Sequence, residues 1–215
     1  VGAWDSKTQP DNHHVIGLSC NQIVNFNSNT TIEGNANFKS IASDFLYTSN
    51  GKSLKNLDNS FGGMAYDNYL IDIYDTIANQ YISLINTKYD LSQSKDIEVR
   101  GRINEWCFNY AYGYKDTLYI GATLGIPTLM FNYNSVYMEE DKNDSMRLST
   151  NTSPSYYYPS EGVGGFKSLS YQETYKTSGT GYNLKVGVIY RAADFIRLGA
   201  SFHSPTIYNL TDGYV

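Results

Sequence analysis

Lys185, Arg191, Arg197 and His203, with Glu105 far upstream, are charged or titratable side chains set among apolar and small residues at every second position. Lys185 lies between Leu184 and Val186, Arg197 between Ile196 and Leu198, and His203 follows Phe202. A cation held on one face of a strand, in surroundings of low polarity, could pair with the carboxylate of a ligand more strongly than a cation at a wet surface. The alternative is that these groups pair with one another as interior ion pairs. Covalent chemistry has little to work with. Ser201, His203 and Asp194 are the residue types of a hydrolytic triad, but Ser201 and His203 share one strand and no nucleophile elbow surrounds the serine. His13 and His14 are adjacent, hence on opposite faces, and no third ligand is spaced for a metal. No catalytic residue, metal or cofactor is expected, and the protein is not expected to be an enzyme.

The elements that position these groups follow from period two. In 181–205, Tyr182, Leu184, Val186, Val188 and Tyr190 alternate with Asn183, Lys185, Gly187 and Arg191, and after a tight turn Ile196, Leu198, Ala200 and Phe202 alternate with Arg197, Gly199, Ser201 and His203. The same alternation marks 14–24, 97–114 and 118–131, so about five strands are expected. Pro127 falls inside one of them, where it cannot donate to the ladder, and Pro205 reads as the end of the last. Short turns at 115–116 and 191–194 alternate with long links at 25–96 and 132–178, the arrangement of an outer-membrane barrel with long extracellular loops. The whole of 1–215 is read as one partial barrel domain. Within the first link, Tyr66, Tyr69, Leu70, Ile73, Ile77, Tyr81 and Leu84 have helical spacing, and Ile41 and Phe45 mark a shorter helix. Such a stripe packs on its own loop or, through Tyr66, Tyr69, Leu70 and Ile73, captures an apolar ligand at the barrel mouth.

Composition agrees. The 21 Tyr suit strands, the helix formers Ala, Leu and Glu are few beside them and the 18 Gly, and a net charge of -5 argues against a nucleic-acid partner. No run of 18 apolar residues occurs, which leaves membrane strands possible because these are short and half polar. Cys20 and Cys107 have opposite parities and are not expected to pair. The polar face consists mostly of Gly, Ser, Thr, Asn and Ala, which suits a crowded barrel interior. Tyrosines bracket the apolar face of 182–190 as an aromatic girdle does. A soluble sandwich, its apolar face buried against a second sheet, is the competing fold.

Three passages carry a resemblance: GTGYNLKVGVIYRAADFIRLGASFHSPTIYNLTD, GRINEWCFNYAYGYKDTLYIGATLGI and FGGMAYDNYLID. Together they cover about a third of the chain and resemble segments of the FadL/TodX family of outer-membrane transport proteins, in a Bacteroidetes-type form. The resemblance implies a fourteen-stranded barrel in the bacterial outer membrane, plugged by an N-terminal hatch. It also implies uptake of hydrophobic compounds such as long-chain fatty acids or aromatic hydrocarbons, with release through a gap in the wall, for which Pro127 is the candidate. On this reading Lys185, Arg197, His203 and Glu105 face the lumen and handle ligand, and the partners are membrane lipid and a hydrophobic small molecule. Five strands cannot close a barrel, so the sequence is expected to be a segment of a longer chain. The rival reading is a non-transporting barrel adaptor for secretion or surface-protein assembly, its Tyr-rich loops docking a protein partner.

Overall fold

The structure is a computed structural model that describes residues 12–36, 39–57, 60–85, 90–146 and 166–214. Of these, 69% are strand and 11% helix, and the strands pair antiparallel, so the protein is all-β as expected. The elements in chain order are β1 (Asn12–Asn25), β2 (Ser28–Ala36), α1 (Ala42–Ser49), α2 (Leu54–Leu57), α3 (Phe61–Asp67), β3 (Ile71–Asp75), β4 (Gln80–Ser83), β5 (Leu91–Tyr114), β6 (Leu118–Glu140), β7 (Ser168–Ala193), β8 (Ile196–His203) and β9 (Ile207–Tyr214). The chain divides into two compact units, the first comprising 1–29, 98–134 and 173–215 and the second 30–97 and 135–172.

In the first unit the sheet runs β1, β5, β6, β7, β8, and β9 also pairs with β7. The path starts at β1 and ends at β8, so among the described residues the sheet is open. The strand before Pro205 ends at His203 as expected, but it is not the last, since β9 follows at Ile207. β8 follows β7 along Lys185–Ala193 and β9 resumes along Tyr175–Tyr182. Between them the Ser204 amide donates to the Leu184 carbonyl, and the Ser204 hydroxyl accepts from the Leu184 amide, both at 2.9 Å. A side-chain oxygen thus keeps the ladder going beside a residue that has no N–H.

Burial in this unit reverses the usual polarity. Ile16, Leu18, Trp106, Phe108, Tyr182, Leu184, Leu198 and Phe202 are exposed, Ile16 at 84% and Leu198 at 60%, while Glu105, Cys107 and Asn183 between them are buried. On β1, β5, β7 and β9 the exposed apolar face ends in register, whereas on β6 it runs on to Met130. Cys20 stands opposite Trp106 and Gln22 opposite Asn104, and on the far side Tyr182 pairs with Ile207 and Thr180 with Asn209. From Trp106 to Tyr114 and from Tyr182 to Tyr190 is eight residues in each case, about 27 Å at ~3.4 Å per residue. Beyond the band the pattern inverts on β5, where Glu98, Arg100 and Arg102 are exposed and Val99 and Ile103 half-buried. Cys20 and Cys107 lie at neighbouring register positions on opposite faces, and both are free thiols.

The second unit has its own core. One cluster joins Ala42, Ile85, Leu91, Met146 and Leu169, and another joins Phe45, Leu57, Ala65, Ile71 and Tyr81. The buried Glu139 carboxylate fastens α1 to β5 and β6: it accepts from the Ser40 hydroxyl at 2.5 Å, the Ile41 amide at 2.8 Å, the Gln93 side chain at 2.8 Å and the Tyr137 hydroxyl at 2.6 Å. Four donors on one carboxylate offset the cost of burying it. The expected shorter helix is α1, with Phe45 buried.

The expected helix through Tyr66 to Leu84 is replaced by α3 followed by the β3–β4 hairpin. The helix stops because the Leu70 amide donates to the Ala65 carbonyl at 2.9 Å and the Tyr69 amide to the Tyr66 carbonyl at 3.1 Å, with Tyr69 at φ 55°. These are the two bonds of a Schellman cap. The hairpin then forms because Ile71, Ile73, Tyr81 and Ile82 favour strands and Asp75 Oδ1 accepts from the Ile77 and Ala78 amides across the turn. The long links are also shorter than expected, since β5 begins at Leu91, β6 continues to Glu140 and β7 starts at Ser168.

Candidate functional site

The face of the first unit opposite the apolar band is built from small side chains. Gly17 of β1, Asn109 and Ala111 of β5, Gly121 and Thr123 of β6, Gly187 of β7 and Gly199 and Ser201 of β8 line a cavity of about 680 Å³. Val15 and Ile189 add apolar surface to it. Alternation explains the arrangement: residues that share parity with Gly187 face the groove, and their short side chains leave the space open.

A polar cluster borders the groove. Glu105 of β5 accepts from Lys185 Nζ at 2.8 Å and from Asn183 Nδ2 at 2.7 Å, both on β7, and Cys107 Sγ lies 3.4 Å away. Asn183 Nδ2 also reaches Thr206 Oγ1 at 3.2 Å. β6 runs between β5 and β7, and Gly125 is what lets the network cross it. A Cβ on Gly125 would lie 2.6 Å from Glu105 Oε1 and would strike Asn183 Oδ1. Beyond this cluster stands a row of rings on the groove face. Phe26 packs edge-on against Phe131 at 5.5 Å, Phe131 against Tyr175 at 6.3 Å, and Tyr175 meets Tyr214 at 4.8 Å. At the opposite end, Arg191 ties two tight turns together through Asp116 at 2.9 Å and Asp194 at 3.1 Å, and its amide donates to the Thr117 carbonyl at 2.8 Å. A hydrogen bond from the Tyr119 hydroxyl, with the Arg191 charge nearby, holds the Asp116 carboxyl below its ordinary value.

Of the residues singled out from sequence, Lys185 and Glu105 meet in one ion pair, which is the alternative to ligand handling raised for them. His203 stands opposite Lys185 in register and lines the cavity. Arg197 is not with them: it stands opposite Arg191, six residues along β8 from His203. Pro127 is fully buried within an unbroken β6, which has β5 on one side and β7 on the other. Tyr66, Leu70 and Ile73 pack against the core of the second unit, while Tyr69 is 80% exposed. Asn183, Gly125, Thr206 and the four-ring row were not identified from sequence. The signal for the row was parity, since Phe131 and Tyr175 carry rings at positions that share a face with the small residues. Among the described residues no group of three His, Cys, Asp or Glu is placed to hold a metal, and no helix is long and apolar enough to cross a membrane.

Fold and site together define an antiparallel β protein with an exposed apolar band on one face and a small-residue groove, bordered by a polar cluster and a ring row, on the other. Comparison with family models, with curated proteins and with solved structures finds no match.

Proposed function

We propose that the chain is part of the wall of a bacterial outer-membrane β-barrel of the FadL/TodX kind, and that its groove face passes small hydrophobic molecules such as long-chain fatty acids or aromatic hydrocarbons. The observation that carries this reading is the exposed apolar band, bounded in register on β1, β5, β7 and β9. Its ~27 Å along tilted strands suits the apolar band of an outer membrane, whereas a sandwich would bury those side chains. The open sheet edges at β1 and β8 suit further wall strands. The ring row would receive an apolar ligand, and the groove would carry it past the Glu105–Lys185 pair. With its charge already paired, Lys185 orients a ligand head group less strongly than a lone cation would.

Fractionation of cells expressing the full-length protein tests the membrane reading: recovery in the soluble fraction without detergent rules it out. Native mass spectrometry in mild detergent tests transport, with co-purified lipid or fatty acid expected. A protein partner in place of ligand would support the adaptor reading, which the exposed Tyr47, Phe61, Tyr69 and Ile77 of the second unit favour.

A further inference from the structure

Just past the apolar band the exposed face becomes cationic. On β5 the even positions run from Trp106 through Asn104 to Arg102 and Arg100, and on β7 from Tyr182 through Thr180 and Ser178 to Lys176. The strand between them aligns the two series. Thr123 bonds Asn109 at 2.7 Å and Thr128 bonds the Asn104 carbonyl at 3.2 Å, and the same offset carries Asn132 to a place beside Arg100. Asn183 lies over Gly125 and Thr174 bonds Asn134 at 3.2 Å, an offset that places Lys176 on the other side of Asn132. Arg100, Asn132 and Lys176 therefore form one row across three neighbouring strands, with Arg102 one step nearer the band. Strands are ~4.8 Å apart, so the Arg100 and Lys176 backbones are on the order of 10 Å apart, within reach of one phosphate for two long side chains. Among the described residues the acidic side chain in contact with this row is Glu98, ion-paired with Arg100 at 2.8 Å.

We infer that Arg100, Arg102 and Lys176, with the Asn132 amide, bind the phosphate head groups of lipid in the surrounding leaflet. This rests on the membrane reading above. A lipid is chosen over free phosphate because the row continues the apolar band. Arg102 is four residues from Trp106, about 14 Å along the strand, and Met130, exposed beside it on β6, carries apolar surface to the same level, so one lipid can lay its chains on Met130 and Trp106 and its phosphate on Arg102, with Arg100 and Lys176 one step further out.

The test uses the full-length protein reconstituted in vesicles of equimolar phosphatidylglycerol and phosphatidylcholine, with its retained lipids identified by mass spectrometry after mild extraction. Phosphatidylglycerol is expected to be enriched about 5-fold or more for the unaltered protein and to fall toward parity in the Arg100→Gln, Arg102→Gln, Lys176→Gln variant. Glu98→Gln, which removes the competing carboxylate, is expected to raise the enrichment. No enrichment in a protein that has inserted, or enrichment unchanged in the triple variant, overturns the inference. So does full displacement of the enriched lipid by millimolar inorganic phosphate, which would make the site one for the free ion. Failure to insert into vesicles of either lipid alone would instead sink the membrane reading, and is scored separately by flotation.

Discussion

Glu105 carries a charge into a buried position on the groove face, and its neighbours show how that charge is tolerated. Lys185 neutralises it, Asn183 donates to it, and Gly125 leaves the opening through which both reach it. Removing one partner strands the other, so Lys185→Met is expected to cost about 3 kcal/mol, while Lys185→Met with Glu105→Gln recovers most of that loss. The shift of the heat-induced unfolding transition on gel electrophoresis measures both, and equal losses in the single and double variants would show that the pair does not act as a unit. A second residue gains from substitution. Tyr69 holds φ 55° at the end of α3, where a side chain is strained, and it is 80% exposed, so little contact is lost. Tyr69→Gly is expected to stabilise the second unit by about 0.5–1 kcal/mol, read as a rise in Tm.

Among the elements, β7 shows best what alternation reveals and what it hides. Between Tyr182 and Tyr190 one face must be apolar and the other small, and the parity of Val186 against Lys185 was visible at once. Val186→Arg, at the middle of the band, is expected to cost about 2–4 kcal/mol in lipid, measured by urea titration in vesicles, whereas Ser201→Asn on the groove face should cost little. Outside the band the constraint relaxes, because both faces of β5 from Glu98 outward carry charged or mixed residues, and period two therefore does not reveal the strands that extend to Leu91, Glu140 and Ser168. The misread helix has a different cause. Apolar residues of 66–84 satisfy a helical period, yet the Schellman bonds at Tyr69 and the Asp75 turn are local geometry that spacing does not contain. The polar cluster was half legible: like parity aligned Glu105 with Lys185, but the register that brings Asn183 and Gly125 to them depends on pairing between distant strands. The turn after β6 supplies a pH test. Burial pushes the Asp141 carboxyl up, but hydrogen bonds from Met146, at 2.7 Å, and Ser145 outweigh it and hold it below 3.8. A depressed folded value means stability that is present above pH ~3.8 and lost as pH falls through the lower, folded value. The Tm difference between the unaltered protein and Asp141→Asn should therefore be positive at pH 7 and shrink below pH ~3.8.

At the scale of the whole molecule, charge is divided unevenly. The segments of the second unit hold thirteen Asp and Glu against eight Lys and Arg, and those of the first hold eight against eight, so the net charge of -5 belongs to the second. If the ligand is a fatty acid, its carboxylate is repelled by the second unit, and an encounter through that unit is slowed at low salt. Screening acts over ~10 Å at 0.1 M ionic strength, so raising salt from about 0.01 to 0.15 M should speed association of a long-chain fatty acid several-fold. An uncharged aromatic hydrocarbon of similar size should associate at a rate that salt leaves nearly unchanged. Stopped-flow fluorescence with the protein in zwitterionic vesicles separates the two, since the vesicle then contributes no net charge. A fatty-acid rate that falls as salt rises would place a cationic group such as Arg197 in control of the encounter despite the net charge. That outcome would add to the groove a carboxylate-handling group beside Lys185, whose charge Glu105 already pairs.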